Sequence, residues 1–246
     1  MALEDRKAWG EVHRDLPGNY SNNAPVGLRA THRGELVTKP LDRNQLCEEG
    51  TYFFAQNPTI DASTTLAGHA APVLADLYTK AFLFMRNTDA GATGLRVVLD
   101  VIHIQVITAG ANGTSDNWAA ECDTGATRLS SGGTDLTVVN PNMQSSRSTV
   151  CTVKGGAPVL AAASASQRKM GHGVFRPAIA ITGDKYTFKF GQDWQENNVV
   201  ATATTHHIIA MPPVILGPTD QFALHLYAPS QSAAAVYKVW AGWWER

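Results

Sequence analysis

The chain has 246 residues, with 20 Lys+Arg against 21 Asp+Glu, 44% hydrophobic and only 17% charged. That is ample length for a buried core, and it leaves a surface made largely of small and uncharged polar side chains. A net charge of −1 argues against a nucleic-acid binder that works through a basic surplus and against a polybasic membrane anchor.

The first stretch is the most charged: of 41 charged residues, 15 fall in the first 49. It also holds the turn formers Pro17-Gly18-Asn19 and Ser21-Asn22-Asn23, and its apolar residues keep no sustained period. Residues 1–45 read as an extended arm with one short strand near Glu35-Leu36-Val37. Such an arm either lies on something else or frays. Beyond it, residues 46–246 read as one domain. Short β-branched and aromatic runs separated by turn clusters predict strands at Thr51-Tyr52-Phe53-Phe54-Ala55, 81–85, 95–108, 118–122, 136–139, 149–153, 159–163, 173–176, 186–190, 207–211, 222–227 and 236–243. The run at 95–108 is long and reads as a bent strand. Period-two alternation in Tyr186-Thr187-Phe188-Lys189-Phe190 and in Phe222-Ala223-Leu224-His225-Leu226 implies one buried face. Ser131-Gly132-Gly133, Asn140-Pro141-Asn142, Lys154-Gly155-Gly156 and Thr182-Gly183-Asp184 read as loops. The best helix candidate, 70–78, is weak. This pattern predicts an all-β, antiparallel β-sandwich of jelly-roll-like form with an extended N-terminal arm.

No run of roughly 18 apolar residues marks a membrane helix, and the opening Met1-Ala2-Leu3-Glu4-Asp5-Arg6-Lys7 has no apolar core of a secretory signal. Three cysteines, Cys47, Cys122 and Cys151, lie far apart without a CxxC, which fits reduced thiols better than a disulfide framework. In Glu121-Cys122-Asp123 the acidic neighbours should raise the thiol pKa and quiet it.

No motif of a hydrolase, a phosphate-binding loop, a zinc protease or an EF-hand occurs. His206 and His207 are strand neighbours and so point to opposite faces. His103 and His225 lie in strand-like runs and would form a metal site only if they met across a sheet. Glycoside hydrolysis needs two carboxylates flanking a cleft. Asp100, Glu121, Asp123, Asp184, Asp193 and Glu196 are available, but nothing pairs them and isolated carboxylates are usually solvated. The reading is therefore of no enzyme, no cofactor and no metal. Trp118 and Trp194 sit in polar, loop-like contexts, where a tryptophan stacks on a sugar, plugs into a neighbouring chain or packs locally. At the C-terminus Trp240 and Trp244 share one strand face with Gly242, while Trp243 shares the other with Tyr237 and Val239. A strand apolar on both faces is either central in the sandwich or covered by another subunit.

Several phrases together resemble virion structural proteins of tailed bacteriophages: Gly50-Thr51-Tyr52-Phe53 with Asn57-Pro58-Thr59-Ile60, Leu99-Asp100-Val101-Ile102, Ser131-Gly132-Gly133-Thr134 with Val139-Asn140-Pro141-Asn142-Met143, Pro213-Val214-Ile215-Leu216-Gly217-Pro218, and the ending Gly242-Trp243-Trp244-Glu245-Arg246. The opening Pro25-Val26-Gly27-Leu28-Arg29 with Gly34-Glu35-Leu36-Val37 fits the same class. The resemblance implies a head decoration (cement) protein, or else a tail or collar part with receptor or carbohydrate binding. A decoration protein would be made in the host cytoplasm and carried on the phage head, commonly as a homotrimer on the major capsid protein. Nucleic acid and membrane are not expected partners. The residues expected at interfaces are Leu28, Arg29, Leu36 and Val37 in the arm, and Trp240, Trp243 and Trp244 in the last strand.

Overall fold

A computed structural model describes residues 9–10, 26–27, 43–57, 66–69, 78–91, 93–124, 128–191, 196–197 and 205–246; the side chains of 9, 10, 26, 27, 43–45, 196 and 197 are not part of that description. The strands in chain order are β1 (Trp9–Gly10), β2 (Val26–Gly27), β3 (Tyr52–Gln56), β4 (Leu66–Ala67), β5 (Leu83–Asn87), β6 (Val97–Thr108), β7 (Asp116–Asp123), β8 (Leu129–Asp135), β9 (Thr137–Val139), β10 (Cys151–Leu160), β11 (Arg168–Arg176), β12 (Lys185–Phe190), β13 (Glu196–Asn197), β14 (His206–Met211), β15 (Ile215–Leu216), β16 (Gln221–Tyr227) and β17 (Val236–Glu245). One short helix, α1 (Arg43–Glu48), precedes β3 and straddles the expected boundary at residue 45.

β1 pairs with β2 alone; the rest form a six-stranded sheet, β11-β7-β16-β5-β10-β8, and a nine-stranded one built on β13-β14-β12-β6-β17-β3-β9. Eight strands set the topology. β3 pairs with β17, β5 with β16, β6 with β12 and β7 with β11, all antiparallel. The first four thus pair in reverse order with the last four, as in a long hairpin rolled over on itself. That is a jelly roll, the all-β sandwich the strand spacing predicts. β10 and β8, paired antiparallel, extend the six-stranded sheet beyond β5, and β9, which lies between them in the chain, extends the other beyond β3. β14 runs parallel to β12; every other pairing among the described strands is antiparallel.

The core lies between the sheets. Period two puts Leu99, Ile102 and Ile104 of β6, Tyr186 and Phe188 of β12, Leu83 and Met85 of β5, and Phe222 and Leu224 of β16 inside, each at most 2% exposed. The expected bend in β6 is real. Its register with β17 skips Asp100 between Leu99 and Val101, and Ile107 between Val106 and Thr108; two bulges turn the strand without breaking it.

Two expected loops are instead strand interior. Gly132 and Gly133 belong to β8, and Gly155 and Gly156 to β10, so 149–153 and 159–163 fall on or beside one strand rather than two. Gly132, Gly133 and Gly156 take φ of 70°, 75° and 93°, and the β10–β8 register shifts between Gly155 and Pro158. The glycines mark bulges, not chain reversals. Leu28, Arg29, Leu36 and Val37, the strand expected near 35–37, and all but the last residue of the helix expected at 70–78 lie outside the described residues.

Candidate binding face

β17 is central in its sheet, between β6 and β3. Its odd positions point inward: Tyr237, Val239 and Trp243 are 6%, 4% and 0% exposed. Trp243 stacks on Phe53 with ring centroids 6.4 Å apart, and its Nε1 donates to Glu245 Oε1 at 3.0 Å. The buried Glu245 carboxylate also accepts from the Thr149 hydroxyl at 2.5 Å and the Val150 amide at 3.1 Å. Trp243 is therefore wholly covered by its own chain, which corrects the expectation that it faces a partner.

The even positions Lys238, Trp240 and Trp244 point outward and are half-buried. Beside them on the same outer face lie Phe54 and Gln56 of β3, Val98, Asp100, His103 and Gln105 of β6, and Lys185, Thr187 and Lys189 of β12. Gly242 divides this face. The Tyr52 hydroxyl donates to Asp100 Oδ2 at 2.8 Å, and a Cβ at Gly242 would come within 2.2 Å of that hydroxyl. Tyr52 can cross the strand only because residue 242 has no side chain.

On one side of this crossing lies Trp244. The Arg246 guanidinium sits 6.0 Å from its ring centroid. Arg96 and Arg246 exchange backbone hydrogen bonds of 2.8 and 3.1 Å. A cleft of about 480 Å³ there is lined by Gly94, Arg96, Val98, Ile215 and Arg246, and Ile215 is 55% exposed. On the other side Trp240 leans on Phe54, ring centroids 6.0 Å apart. His103 Nδ1 lies 2.8 Å from Thr187 Oγ1, which lies 2.8 Å from His206 Nε2. Burial, then His206 and Lys185, hold the His103 pKa below its usual value, so this imidazole is neutral at pH 7.

His225 occupies the outer side of the six-stranded sheet, alternating with the core residues Leu224 and Leu226, so it does not meet His103. No group of three or more His, Cys, Asp or Glu side chains suited to a metal occurs among the described residues. As expected, His206 is exposed and His207 buried, on opposite faces.

The expectation of solvated carboxylates fails for Glu121, Asp123 and Asp184, which are 1%, 2% and 0% exposed. Arg128 Nη1 donates to Glu121 Oε1 at 2.5 Å and its Nε lies 3.7 Å from Asp123 Oδ2. His225 Nε2 is 3.3 Å from the same Glu121 oxygen, Gln167 donates to the other, and Ser164 donates to Asp123. Asp184 faces the buried Arg176 at 3.4 Å and accepts from the Ile181 and Thr205 amides. The three carboxylates are each paired with a cation and hydrogen-bonded, as buried charges require, and they pin loops to the sheets. Burial first, then Asp220 and Glu121, pushes the Cys122 thiol up to about 12; all three cysteines are free.

Trp118 belongs to the strand expected at 118–122 and not to the loop its polar neighbours suggest. It lies in β7, 8% exposed, 5.3 Å from the Phe188 ring, against Gly171 and Gly173 of β11. Trp194, Asp193 and the side chain of Glu196 lie outside the described residues. The sequence reading missed Gln56, Gln105 and Lys238 around Trp240; alternation along β17 would have found Lys238, but Gln56 and Gln105 are brought there by the pairing of β17 with β3 and β6. Compared with known proteins, the chain matches no family model, no curated protein and no solved structure.

Proposed function

We propose that this chain is a structural component of a tailed-bacteriophage particle, a capsid decoration protein that binds and stabilises the lattice of the major capsid protein as a homotrimer. The observation that carries the reading is the Trp244 end of the nine-stranded sheet. There an exposed Ile215, Val98 and a half-buried tryptophan are framed by Arg96 and Arg246 on the jelly roll. Apolar area for burial and two guanidinium groups for bidentate contacts are the usual makings of a protein interface. A surface poor in charge suits dense packing, because few ions must be stripped of water. A contact of about 1,600 Å² suffices for a stable pair, and repetition over a lattice multiplies it by avidity. In this reading Leu28, Arg29, Leu36 and Val37 add contacts from the arm, and the chain performs no catalysis. A tail or collar part is the competing place for it.

Binding of the purified protein to shells of the major capsid protein, read by co-sedimentation and electron microscopy, tests the proposal. Wild-type protein is expected to decorate the shells. Ile215→Asp should lower occupancy about tenfold or more, because a buried unpaired charge costs several kcal/mol, and deletion of residues 2–45 should abolish it. Full occupancy by both variants, or density on the tail instead of the head, overturns it.

A further inference from the structure

We propose that the outer face of the nine-stranded sheet around Trp240 is a binding site for an acidic saccharide. It is separate from the Trp244 end, across the Tyr52–Asp100 crossing, and it does not rest on the particle reading.

Two adjacent cross-strand rows make the site. In the first, Trp240 stands between Gln56 of β3 and His103 of β6, with Thr187 next to His103 on β12. In the second, Gln105 stands between Lys238 and Lys185. Gln56, Asn57, His103, Gln105, Lys238, Val239 and Trp240 line a hollow of about 220 Å³, room for a single ring rather than an extended apolar ligand.

Three features choose the ligand class. The half-buried indole, held at an angle by Phe54, offers a flat apolar surface with a polar N–H, the pairing that suits the C–H face of a pyranose. Among the described residues, the side-chain amides of Gln56 and Gln105 and the Lys238 ammonium have no hydrogen-bond or ion-pair partner. Each amide offers both a donor and an acceptor, which matches the dual character of sugar hydroxyls. His103 is held at Nδ1 by Thr187, so Nε2 is left for a ligand. The single Thr187 proton can serve only one of its two imidazole neighbours, so the other must donate to it; the row is orientationally fixed before any ligand arrives. Asn57 Oδ1, accepting from the Val239 amide at 3.1 Å, stiffens the rim. Such preorganisation reduces the ordering cost of binding.

The charge follows from the lining. Lys238 is in the hollow and Lys185 flanks Gln105, while no carboxylate lines it among the described residues. A carboxylate or sulfate on the sugar would meet an ammonium with no competing anion. Without a carboxylate pair among the described lining residues, the site suits binding a glycan rather than cleaving it. A metal is disfavoured because only two imidazoles are at hand and their facing nitrogens, His103 Nδ1 and His206 Nε2, are both bonded to the Thr187 hydroxyl.

The test uses the purified full chain on a glycan array holding uronate-, sialate- and sulfate-bearing saccharides beside neutral ones, followed by calorimetric titration of the best acidic saccharide and its neutral counterpart. Retention of acidic saccharides, at least about tenfold tighter than the neutral counterparts, is expected. Lys238→Gln should erase that preference without changing the melting temperature. Trp240→Ala should abolish binding of both kinds. Should Trp240→Ala fail to fold, Gln105→Ala at an outward position must still weaken binding at unchanged stability. Retention of no acidic saccharide, neutral binding alone, or wild-type affinity in the Lys238 and Gln105 variants overturns the proposal. Ile215→Asp should bind saccharide normally, so loss of shell binding and loss of glycan binding are read separately.

Discussion

At the mouth of the core, Asp116 is 2% exposed and accepts a hydrogen bond from the Tyr186 hydroxyl. Burial pushes its carboxyl up to about 7, with Asp184 adding to the rise and the Tyr186 bond and Arg176 opposing it. A carboxyl raised in the folded state binds its proton more tightly there than in the unfolded chain. Its contribution is complete below the unfolded value near 4 and is lost as pH rises through about 7. Asp116→Asn, which cannot ionise, should therefore gain stability relative to wild type as pH rises over that window, by a few kcal/mol. Urea unfolding of both proteins at several pH values measures the difference and cancels groups such as Asp123 and Asp89, whose lowered pKa values work in the opposite direction. Parallel stability curves would remove Asp116 as the source.

Among the elements, the last strand depends on a single missing side chain at Gly242. With alanine at 242, the Cβ would stand 2.2 Å from the Tyr52 hydroxyl, so the ring must move and the Tyr52–Asp100 bond must break. Gly242→Ala is expected to destabilise the fold by about 1–3 kcal/mol, with Tyr52→Phe in the same background recovering part of the loss. Thermal melts of the two variants check this; a neutral Gly242→Ala would mean that β17 tolerates the shift. Gly173 has the same logic on β11, where a Cβ would meet the Trp118 Nε1 at 2.8 Å. These glycines admit aromatic rings, whereas Gly132, Gly133 and Gly156 admit bulges.

For the molecule as a whole, the question is which apolar surface belongs to the fold and which to assembly. Trp243 belongs to the fold. Trp243→Ala leaves a cavity between the sheets and removes a donor to Glu245, for a loss of about 3–5 kcal/mol. The oligomeric state should not change while the protein remains folded. Scanning calorimetry and sedimentation together decide: dissociation at unchanged melting temperature would return Trp243 to an interface. The assembly contacts are expected instead from Trp244, Ile215 and the arm.

Much of this architecture is local and so was readable. Alternation in β12, β16 and β17 marked inner and outer positions because successive strand residues must point to opposite faces, and it sorted Trp243 from Trp240 and Trp244. Composition and spacing of the strands were enough for an antiparallel sandwich. The sequence was silent on whatever depended on distant partners. Glu121 and Asp123 look like surface charges until Arg128 and the loop carrying Ser164 and Gln167 fold over them. Asp116-Asn117-Trp118 reads as a loop until the Asn117 amide is seen bonding Ser115 Oγ and the Tyr227 carbonyl and β11 is seen bringing two glycines to the indole. The pairing of β3 with β17 and the gathering of Gln56, His103 and Gln105 about Trp240 were likewise decided only by the tertiary structure. A face is a property of one strand, but a site is a property of which strands become neighbours, and that is settled by the closure of the whole roll.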